Sequence, residues 1–402
     1  MTDFDDHSPY SKLKQARVAV VYDRVNINYG GGEQVVQALG QIFPQAHLFT
    51  SVCDHNRAQW TKSFPKIHTS FLNRISWLRT QHRWLLPLMP LAFESLDLSE
   101  YDLIISVTSG EAKGIITRAD QLHLCYLLSP PKYLYHYQDE YLQSNTLVKL
   151  PVFNWLIKQI FKYLLWWDQA ATHRPNSIIT LSHSISQLAS RLYHFPCFPV
   201  IYPPLDMINL STSLNNSELK RLKLPKKYDV IVSRLVFYKR VDLAIQATIN
   251  LGRNLVIVGD GPQKKKLSKL VKQINRNHQV KIIFLGSQPQ NVVNSIIKHA
   301  TLFLSLGIDD FGLAPIQAFM LGKVTVIHQQ SGVAELLSKF NGCQTIASFS
   351  SNEIETVIKN ASSKSINSAN ISYIKQHYGY QSFSKQINQF ICKRHQSWLN
   401  QL

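Results

Sequence analysis

Short apolar runs alternate with helix-like segments along most of the chain. Residues 18–22, 103–107 and 255–258 are almost continuously apolar, a pattern typical of parallel strands that helices bury on both faces. Strands that alternate with helices indicate βαβ units. The other predicted strands are 47–52, 122–128, 178–181 and 200–202 in the first half, and 230–233, 282–285, 302–306 and 325–328 in the second. The pattern predicts an α/β protein made of Rossmann-like, doubly wound sheets.

A boundary between two lobes is predicted near residue 203. Tyr202-Pro203-Pro204 holds the backbone extended, and the stretch 209–216 that follows is rich in Ser, Thr and Asn, as interdomain hinges are. A length of 402 residues also exceeds that of an ordinary single domain. We expect an N-terminal lobe over 1–203 and a C-terminal lobe over 204–379. The two lobes are expected to face a cleft at the carboxyl ends of both sheets.

Composition favours a cytoplasmic protein. Residues 1–6 are acidic and polar, unlike a secretory signal. The longest apolar stretch, 84–93, is interrupted by Pro87 and Pro90 and is too short to span a membrane. The cysteines are odd in number and form no C-x-x-C pair, which predicts reduced thiols in place of disulfides or a zinc site. They are Cys53, Cys125, Cys197, Cys343 and Cys392.

The formal net charge of +18 is unusually high. Such an excess of Lys and Arg indicates an anionic partner, which could be a nucleic acid, an anionic membrane leaflet or a phosphorylated small molecule. The alternative is an AT-rich genome, whose codons favour Lys and Asn. No helix-turn-helix, zinc-finger or RNA-binding signature accompanies the charge, so a nucleic-acid partner is not expected.

A glycine run follows the first predicted strand. Gly30-Gly31-Gly32-Glu33 precedes a helical pattern, so the backbone there can approach a ligand and the helix start can offer N–H groups to an anion. The alternative is a flexible turn. Since the spacing is not G-x-G-x-x-G, an NAD-dependent enzyme is not indicated.

Two basic residues follow the first strand of the second half. Arg234 and Lys239 come just past residues 230–233, where they could neutralise a diphosphate leaving group as negative charge builds on it. The alternative is a solvated basic loop. Gly259-Asp260-Gly261-Pro262 then forms a turn after 255–258, for which ordinary turn chemistry is a sufficient explanation.

An acidic segment precedes a later helix. Asp309-Asp310-Phe311-Gly312 follows an apolar strand, and Pro315 suits the first turn of the helix that contains Gln317. The loop would hold polar side chains at the carboxyl edge of the sheet. Asp309 and Asp310 lack a convincing third ligand, so no metal site is expected.

The order of these motifs resembles glycosyltransferase family 4, which has the GT-B fold and retains the anomeric configuration of the transferred sugar. The resemblance covers roughly residues 17 to 340, and its first half is similar to the branch of O-antigen and lipid-linked mannosyltransferases. In the first half it rests on Tyr101-Asp102-Leu103, Ala112-Lys113-Gly114, Pro130-Pro131-Lys132-Tyr133, Asp168, Arg174 and Tyr202-Pro203-Pro204. In the second half Gly322 and Gly332-x-x-Glu335 extend the motifs given above.

The resemblance implies a role for individual residues. Arg234 and Lys239 would hold the donor diphosphate, Asp309 would face the donor sugar, and these three are the candidate catalytic residues. Gln317 would contact the ribose. The other implied donor-binding residues are Gly31, Gly32, Gly259, Phe311, Gly312 and Leu313, and the implied acceptor side comprises Ser129 and Lys132. The C-terminal helix 380–402 would cross back to the first lobe.

The resemblance also implies substrates. The donor would be a nucleotide-diphosphate sugar, with GDP-mannose the first to try, and the acceptor a lipid-linked or other glycan in cell-surface polysaccharide or lipopolysaccharide synthesis. Neither a cofactor nor a metal is expected, because cations and helix ends would supply the electrostatic stabilisation.

Four positions depart from the pattern of the family. Asp309 and Gln317 stand where the family usually has Glu, Leu128 replaces its usual His, and Lys132 its Arg. Asp keeps the charge with a shorter reach, while Gln can accept a hydrogen bond from a ribose hydroxyl without charge assistance. These departures leave open a second hypothesis, a degenerate member that binds a nucleotide sugar or a partner without turnover.

Two segments combine aromatic and basic residues. In 148–167, Trp155, Trp166 and Trp167 stand among Lys149, Lys158 and Lys162. In 71–84, Trp77 and Trp84 stand beside Arg74, Arg79 and Arg83. Such segments suit docking on the inner, anionic leaflet of the cytoplasmic membrane. The alternative is that their aromatic residues are buried between helices of the first lobe.

Overall fold

A computed structural model describes residues 13, 15–26, 30–54, 58–74, 86–135, 151–205, 210, 212–275 and 280–400. The chain divides into two compact units: Met1–Pro204 together with Tyr380–Leu402, and Leu205–Gly379. Several residues named above lie outside the described part, including Trp77, Arg79, Arg83, Trp84 and Lys149, positions 209 and 211 of the predicted linker, and residues 1–6.

The first unit contains a parallel sheet, which has six strands within the described residues. Its strands are β1 (Val18–Tyr22), β2 (His47–Thr50), β3 (Ile67–Thr69), β4 (Leu103–Thr108), β5 (Leu122–Leu127) and β6 (Ser177–Thr180). Its helices are α1 (Gly31–Ile42), α2 (Met89–Glu94), α3 (Lys132–Tyr135), α4 (Pro151–Ala171) and α5 (His183–Tyr193). Every residue of β1, β4 and β5 is buried, as continuous apolar strands between two helix layers require.

The second unit also contains a parallel sheet, again of six strands in the part described. Its strands are β7 (Asp229–Val232), β8 (Leu255–Val258), β9 (Ile282–Gly286), β10 (Phe303–Ser305), β11 (Thr325–His328) and β12 (Cys343–Ile346). Its helices are α6 (Asn216–Arg221), α7 (Val241–Asn250), α8 (Lys264–Ile274), α9 (Gln290–His299), α10 (Leu313–Met320), α11 (Ala334–Leu337), α12 (Ser351–Ala361) and α13 (Ser368–Tyr378).

Helices cover both faces of the second sheet. Successive residues of a strand point to opposite faces, and the buried residues separate accordingly into two clusters. One contains Val230, Val256 and Phe303 and packs against α9, while the other contains the next residue of each strand, Ile231, Ile257 and Leu304.

Both sheets have the same strand order. The first is β3-β2-β1-β4-β5-β6 and the second, read in the same sense, is β9-β8-β7-β10-β11-β12. This is the doubly wound Rossmann arrangement, in which the direction of winding reverses between the first and fourth strands. Ligands of such sheets bind beyond the carboxyl ends of the strands at that point. The predicted α/β fold is therefore confirmed, and it directs attention to the ends of β1 and β4 and of β7 and β10.

The differences from the predicted strands lie at the sheet edges. β3 and β12 were not predicted, because an edge strand that is half exposed lacks a continuous apolar run. The strand predicted at 200–202 is wrong: Val200 makes only an isolated bridge with Thr180.

The C-terminal residues belong to the first unit. They form α14 (Tyr380–Arg394) and α15 (Gln396–Leu399). The Phe383 ring meets the Tyr126 ring edge-on at 6.0 Å, and Trp398 Nε1 donates to the Asp120 carbonyl at 3.1 Å. None of the helices among the described residues has the length and hydropathy needed to cross a bilayer.

Candidate functional site

The carboxyl ends of β7 and β10 carry the residues expected to bind the donor. Arg234 lies two residues beyond β7, Lys239 ends a short 3-10 helix in the same loop, and Asp309 follows β10. Lys239 Nζ lies 2.5 Å from Asp309 Oδ1, and the two side chains are 20% and 7% exposed. The structure thus joins two predicted site residues that are 70 positions apart in the chain.

Arg234 is the exposed cation of this edge. Its Nη2 atom donates to the Tyr238 hydroxyl at 3.0 Å. The Tyr238 hydroxyl carries no charge to balance the Arg234 guanidinium, and no carboxylate of the described residues pairs with it. The charge of Lys239, in contrast, is balanced by Asp309. Arg234 is therefore placed to bind an incoming anion through its remaining N–H donors.

Glycine is required where the loops beyond β7 and β8 meet. Gly259 has a φ of +126°, and a Cβ there would lie 1.9 Å from the Ser233 carbonyl oxygen. The Leu235 N–H also donates to the Asp260 carbonyl at 2.9 Å. The role of Gly259 that this geometry supports is to let the loop that carries Arg234 pack tightly.

The start of α10 faces the same edge. Gly312, with a φ of +98°, precedes the helix and has no side chain to cap its first turn. Phe311 is buried, and its carbonyl accepts from the Val333 N–H at 2.7 Å. Asp309 is fixed through its own backbone, whose N–H donates to Ser331 Oγ at 3.1 Å. The start of α10, at Leu313, therefore presents backbone N–H groups at this edge, the kind of group that binds an anion.

Gln317 is held in one orientation by its neighbours. The Thr212 carbonyl can only accept, so the Asn294 Nδ2 group that lies 2.9 Å away must face it. Asn294 Oδ1 then accepts from Gln290 Nε2 at 3.0 Å and from Gln317 Nε2 at 2.8 Å. Gln317 consequently has its Nε2 group toward Asn294, and its Oε1 atom is left to face elsewhere as an acceptor.

This arrangement predicts that Gln317→Glu, which introduces the residue common in the resembled family, destabilises the second unit. A carboxylate oxygen would face Asn294 Oδ1, and Asn294 cannot turn without losing Thr212. We expect a loss of about 1–3 kcal/mol in the free energy of unfolding at neutral pH, the usual cost of an unsatisfied buried polar group. Urea denaturation of the full chain measures it.

The pH dependence of the Gln317→Glu variant tests the same logic. Burial and the facing Asn294 oxygen would raise the pKa of the new carboxyl in the folded state. The loss in the free energy of unfolding is therefore absent below the unfolded pKa of about 4.3, and it grows as pH rises from there through the folded pKa. Gln290→Glu is the matched control, since Gln290 contacts the same Asn294 oxygen but is exposed and can turn into solvent. Equal losses in both variants, or a loss independent of pH, would contradict the assignment.

In the first unit, the glycine run lies at the start of α1. Gly30 precedes the helix, and Gly31 and Gly32 are its first residues. A Cβ on Gly32 would lie 2.5 Å from the Tyr22 hydroxyl and 2.9 Å from Leu128 Cδ1. Gly32 therefore allows close packing of α1 on β1. The role of Gly31 and Gly32 toward a donor stays a prediction.

A polar cluster that the sequence analysis did not single out lies at the ends of β1 and β4. Glu111 accepts from Arg24 Nη2 and from the Tyr133 hydroxyl, both at 2.7 Å. Asp23 accepts from Thr108 Oγ1 at 2.7 Å and from the Ala112 N–H at 2.9 Å. Arg24 Nε is buried with no hydrogen-bond partner among the described residues. The Asp-Arg pair directly after the first predicted strand was the available signal.

The Asp23 carboxylate holds together the backbone at the ends of β1 and β4. Burial, together with the nearby charge of Glu111, raises its pKa, while Arg24 opposes the shift. Its oxygens are engaged by Thr108, Ser109 and Ala112. Asp23 therefore ties β1 to the turn after β4 and positions the Arg24–Glu111 pair.

The residues predicted on the acceptor side follow β5. Ser129 is buried, and its hydroxyl donates to the Pro130 carbonyl at 2.9 Å. Lys132 is half-buried at the start of α3, one residue before Tyr133. Only Lys132 of the two is therefore partly accessible at this edge of the first sheet.

No metal centre is evident in the described part of the chain, where no three or more His, Cys, Asp and Glu side chains are grouped to hold an ion. The carboxylate of Asp309 is paired with Lys239.

Comparison with known proteins gives a family match within the second unit. Residues 215–377 match the family described as glycosyl transferases group 1. No curated protein matches the sequence of the chain. The matched segment lies within the second unit, and the chain is a transferase.

Solved structures show the same fold at low sequence identity. Sucrose-phosphate synthase from Thermosynechococcus elongatus has a TM-score of 0.69 and 15% identity, covering 95% of this chain and 100% of its own. Anabaena Alr3699/HepE in complex with UDP-glucose has a TM-score of 0.63 and 18% identity, covering 92% and 98%. The lipopolysaccharide outer core galactosyltransferase WaaB has a TM-score of 0.57 and 16% identity, covering 94% and 99%. The fold is GT-B, that of glycosyltransferases.

Proposed function

We propose that this enzyme transfers a hexose from a nucleotide-diphosphate sugar to a lipid-linked or other glycan acceptor, with retention of the anomeric configuration. The observation that carries the proposal is the grouping of Arg234, Lys239 and Asp309 at the ends of β7 and β10. This is the point of a doubly wound sheet where ligands bind, and the matched glycosyltransferase domain contains it.

The donor is activated by positive charge at the leaving group. As the bond between the sugar C1 atom and the diphosphate oxygen breaks, negative charge builds on the diphosphate, and Arg234, Lys239 and the N–H groups that start α10 stabilise it. Asp309, beside Lys239, accepts hydrogen bonds from donor-sugar hydroxyls. Gln317 Oε1 accepts from the ribose.

The acceptor hydroxyl then bonds to C1 from the face that the diphosphate leaves. Its proton passes to the departing phosphate oxygen, so the step balances without a protein nucleophile. The described carboxylates near the ends of β1 and β4 support this route, because Asp23 and Glu111 are already engaged by N–H and O–H donors. Transfer is proposed to need no metal ion.

Two sugar nucleotides are the first candidates for the donor. GDP-mannose is favoured by the resemblance of the first half to mannosyltransferases. UDP-glucose is favoured by HepE, a structural neighbour that was solved with it. Both are hexose donors with a diphosphate, which is the part that Arg234 and Lys239 would bind.

The acceptor is proposed to lie on the first unit, with synthesis of cell-surface polysaccharide or lipopolysaccharide as the setting. Lys132 and the Arg24–Glu111 pair offer charged and hydrogen-bonding groups beyond the first sheet. WaaB, described as a lipopolysaccharide outer core galactosyltransferase, supports this class of acceptor. The enzyme would work in the cytoplasm, at the inner face of the membrane.

Nucleotide release tests the proposal. The purified chain is incubated with GDP-mannose or UDP-glucose, with and without extracted membrane glycolipids, and the release of GDP or UDP is followed. We expect release from one donor, faster with the extract and slowed by about 10²–10³-fold in Arg234→Ala.

A second candidate function is donor binding without turnover. It is favoured by Leu128, which packs against Gly32 where the resembled family usually has a histidine. Tight binding of one donor with no nucleotide release under either condition would support this alternative and contradict transfer.

A further inference from the structure

Helix α4 divides its aromatic residues between two faces. Phe161, Leu164 and Trp167 are buried in the first unit. Trp155 and Trp166, in contrast, are 63% and 65% exposed. Since they are eleven residues apart, or about three helical turns, they lie on the same side of the helix. The sequence left burial and membrane contact as alternatives for these aromatics, and the helix combines both.

The exposed face of α4 is apolar along its centre and basic along one edge. Leu156 and Tyr163 are exposed beside the two tryptophans. Lys158 and Lys162 are exposed on the other side of them. At 100° per residue, Lys158 and Lys162 lie at about −60° and −20° from Trp155, and Tyr163 and Leu156 at about +80° and +100°. This order of side chains is typical of helices that lie in a membrane interface.

The charge on this face is of one sign. Asp168 is the only acidic residue in the sequence of α4, and it is 2% exposed and paired with the buried Lys113. Solvent therefore meets lysine ammonium groups but no carboxylate on α4. A surface that complements this face must offer negative charge to the lysines and, beneath that charge, an apolar layer to the aromatic and leucine side chains.

Helix α2, in the same unit, also exposes apolar side chains. Glu94 of α2 accepts from Trp167 Nε1 at 2.8 Å, so α2 lies beside α4. Leu91 of α2 is 55% exposed, and Leu88, just before that helix, is also exposed. Large apolar side chains grouped on a surface in this way mark an interaction site.

We propose that the α4 face, defined by Trp155, Leu156, Lys158, Lys162, Tyr163 and Trp166, docks the first unit on an anionic lipid leaflet. The indole rings sit at the level of the headgroups, and the lysines meet lipid phosphates. The docking brings the first unit to the surface where a lipid-linked acceptor resides. Only this last consequence rests on the proposed function.

Vesicle binding tests the docking. The full chain is sedimented with vesicles of phosphatidylglycerol and with vesicles of phosphatidylcholine. We expect binding to the former that weakens with salt, and a loss of roughly tenfold in the partition coefficient for each of Trp155→Ser and Trp166→Ser. Phosphatidylglycerol with brominated acyl chains should quench the tryptophan fluorescence of the wild type more than that of the double variant.

A second basic helix serves as a control that distinguishes docking through the α4 face from general electrostatic attraction. Helix α8 presents Lys265 and Lys269 without exposed aromatic residues between them. Lys158→Gln/Lys162→Gln is expected to weaken binding to phosphatidylglycerol vesicles much more than Lys265→Gln/Lys269→Gln. Donor titration of each variant checks that the second unit is folded. If the proposed function is wrong, no variant binds a donor, but vesicle binding can still be measured and still tests the docking.

Three outcomes would overturn the docking proposal. The first is binding of the Trp155→Ser/Trp166→Ser variant like that of the wild type. The second is equal binding to phosphatidylcholine and phosphatidylglycerol. The third is a dimer in light scattering that the tryptophan substitutions dissociate, because the face would then be covered by a second copy of the chain.

Discussion

Replacing Lys239 by alanine is expected to lower the rate of sugar transfer by about 10²–10³-fold, the usual effect of removing one fixed donor to a developing charge. The loss should appear mainly in kcat, because the charge on the diphosphate grows as the sugar bond breaks. Steady-state nucleotide release measures it. Arg234→Ala is expected to lose activity by a similar factor and also to bind donor more weakly, because Arg234 is exposed and pairs with no carboxylate among the described residues.

The control for Lys239 is a lysine in a similar setting. Lys264 Nζ lies 2.9 Å from Asp260 Oδ2 beyond the end of the neighbouring strand β8, but both side chains are exposed. Lys264→Ala should leave the rate of transfer unchanged. An equal loss in both variants would mean that overall positive charge, and not the Lys239–Asp309 pair, supports the reaction.

The largest effect on stability is expected from Lys113→Ala. Lys113 is fully buried, and its ammonium group pairs with Asp168, which also accepts from the hydroxyls of Tyr135 at 2.8 Å and Tyr193 at 2.9 Å. Removing the lysine leaves a buried, uncompensated carboxylate, at a cost of about 3–5 kcal/mol. Urea denaturation reports the loss, and hydrogen exchange should locate it in α4 and in the turn after β4.

Removing the charge of both partners gives the control for Lys113. Lys113→Met/Asp168→Asn keeps similar volumes, and the amide oxygen can still accept from a tyrosine hydroxyl. Most of the stability should return, since a buried ion pair contributes little beyond an uncharged pair of the same shape. A double variant as unstable as Lys113→Ala would show that the ammonium group has a further essential partner.

In the first unit, three residues that carried the family resemblance have structural partners inside the unit. Lys113, Asp168 and Arg174 were among the residues that carried it, yet each is part of internal packing. Lys113 and Asp168 pair with each other, and Arg174 pairs with Glu94 at 2.6 Å. They join the turn after β4 to α4 and α2. Sequence spacing could not show this, because the partners are brought together only by the fold.

The central strands of both sheets and the residues after β7 and β10 followed from the sequence, because buried parallel strands are continuously apolar and their ends are fixed by the runs themselves. The edge strands β3 and β12 and the polar cluster of Asp23, Arg24 and Glu111 did not follow, and neither did three features of side-chain arrangement. The pairing of Lys239 with Asp309 and the orientation of Gln317 by Asn294 join residues distant in sequence. The division of α4 into buried and exposed aromatics depends on which face the first unit covers.

The central claim is that the ends of β7 and β10 bind the diphosphate of a nucleotide sugar. Isothermal titration of the full chain with GDP-mannose, UDP-glucose, GDP and UDP tests it most directly, with Arg234→Ala titrated alongside. We predict binding of one sugar nucleotide and of its nucleoside diphosphate, both greatly weakened in the variant. Binding that Arg234→Ala leaves intact, or no binding of any of the four, would contradict the account.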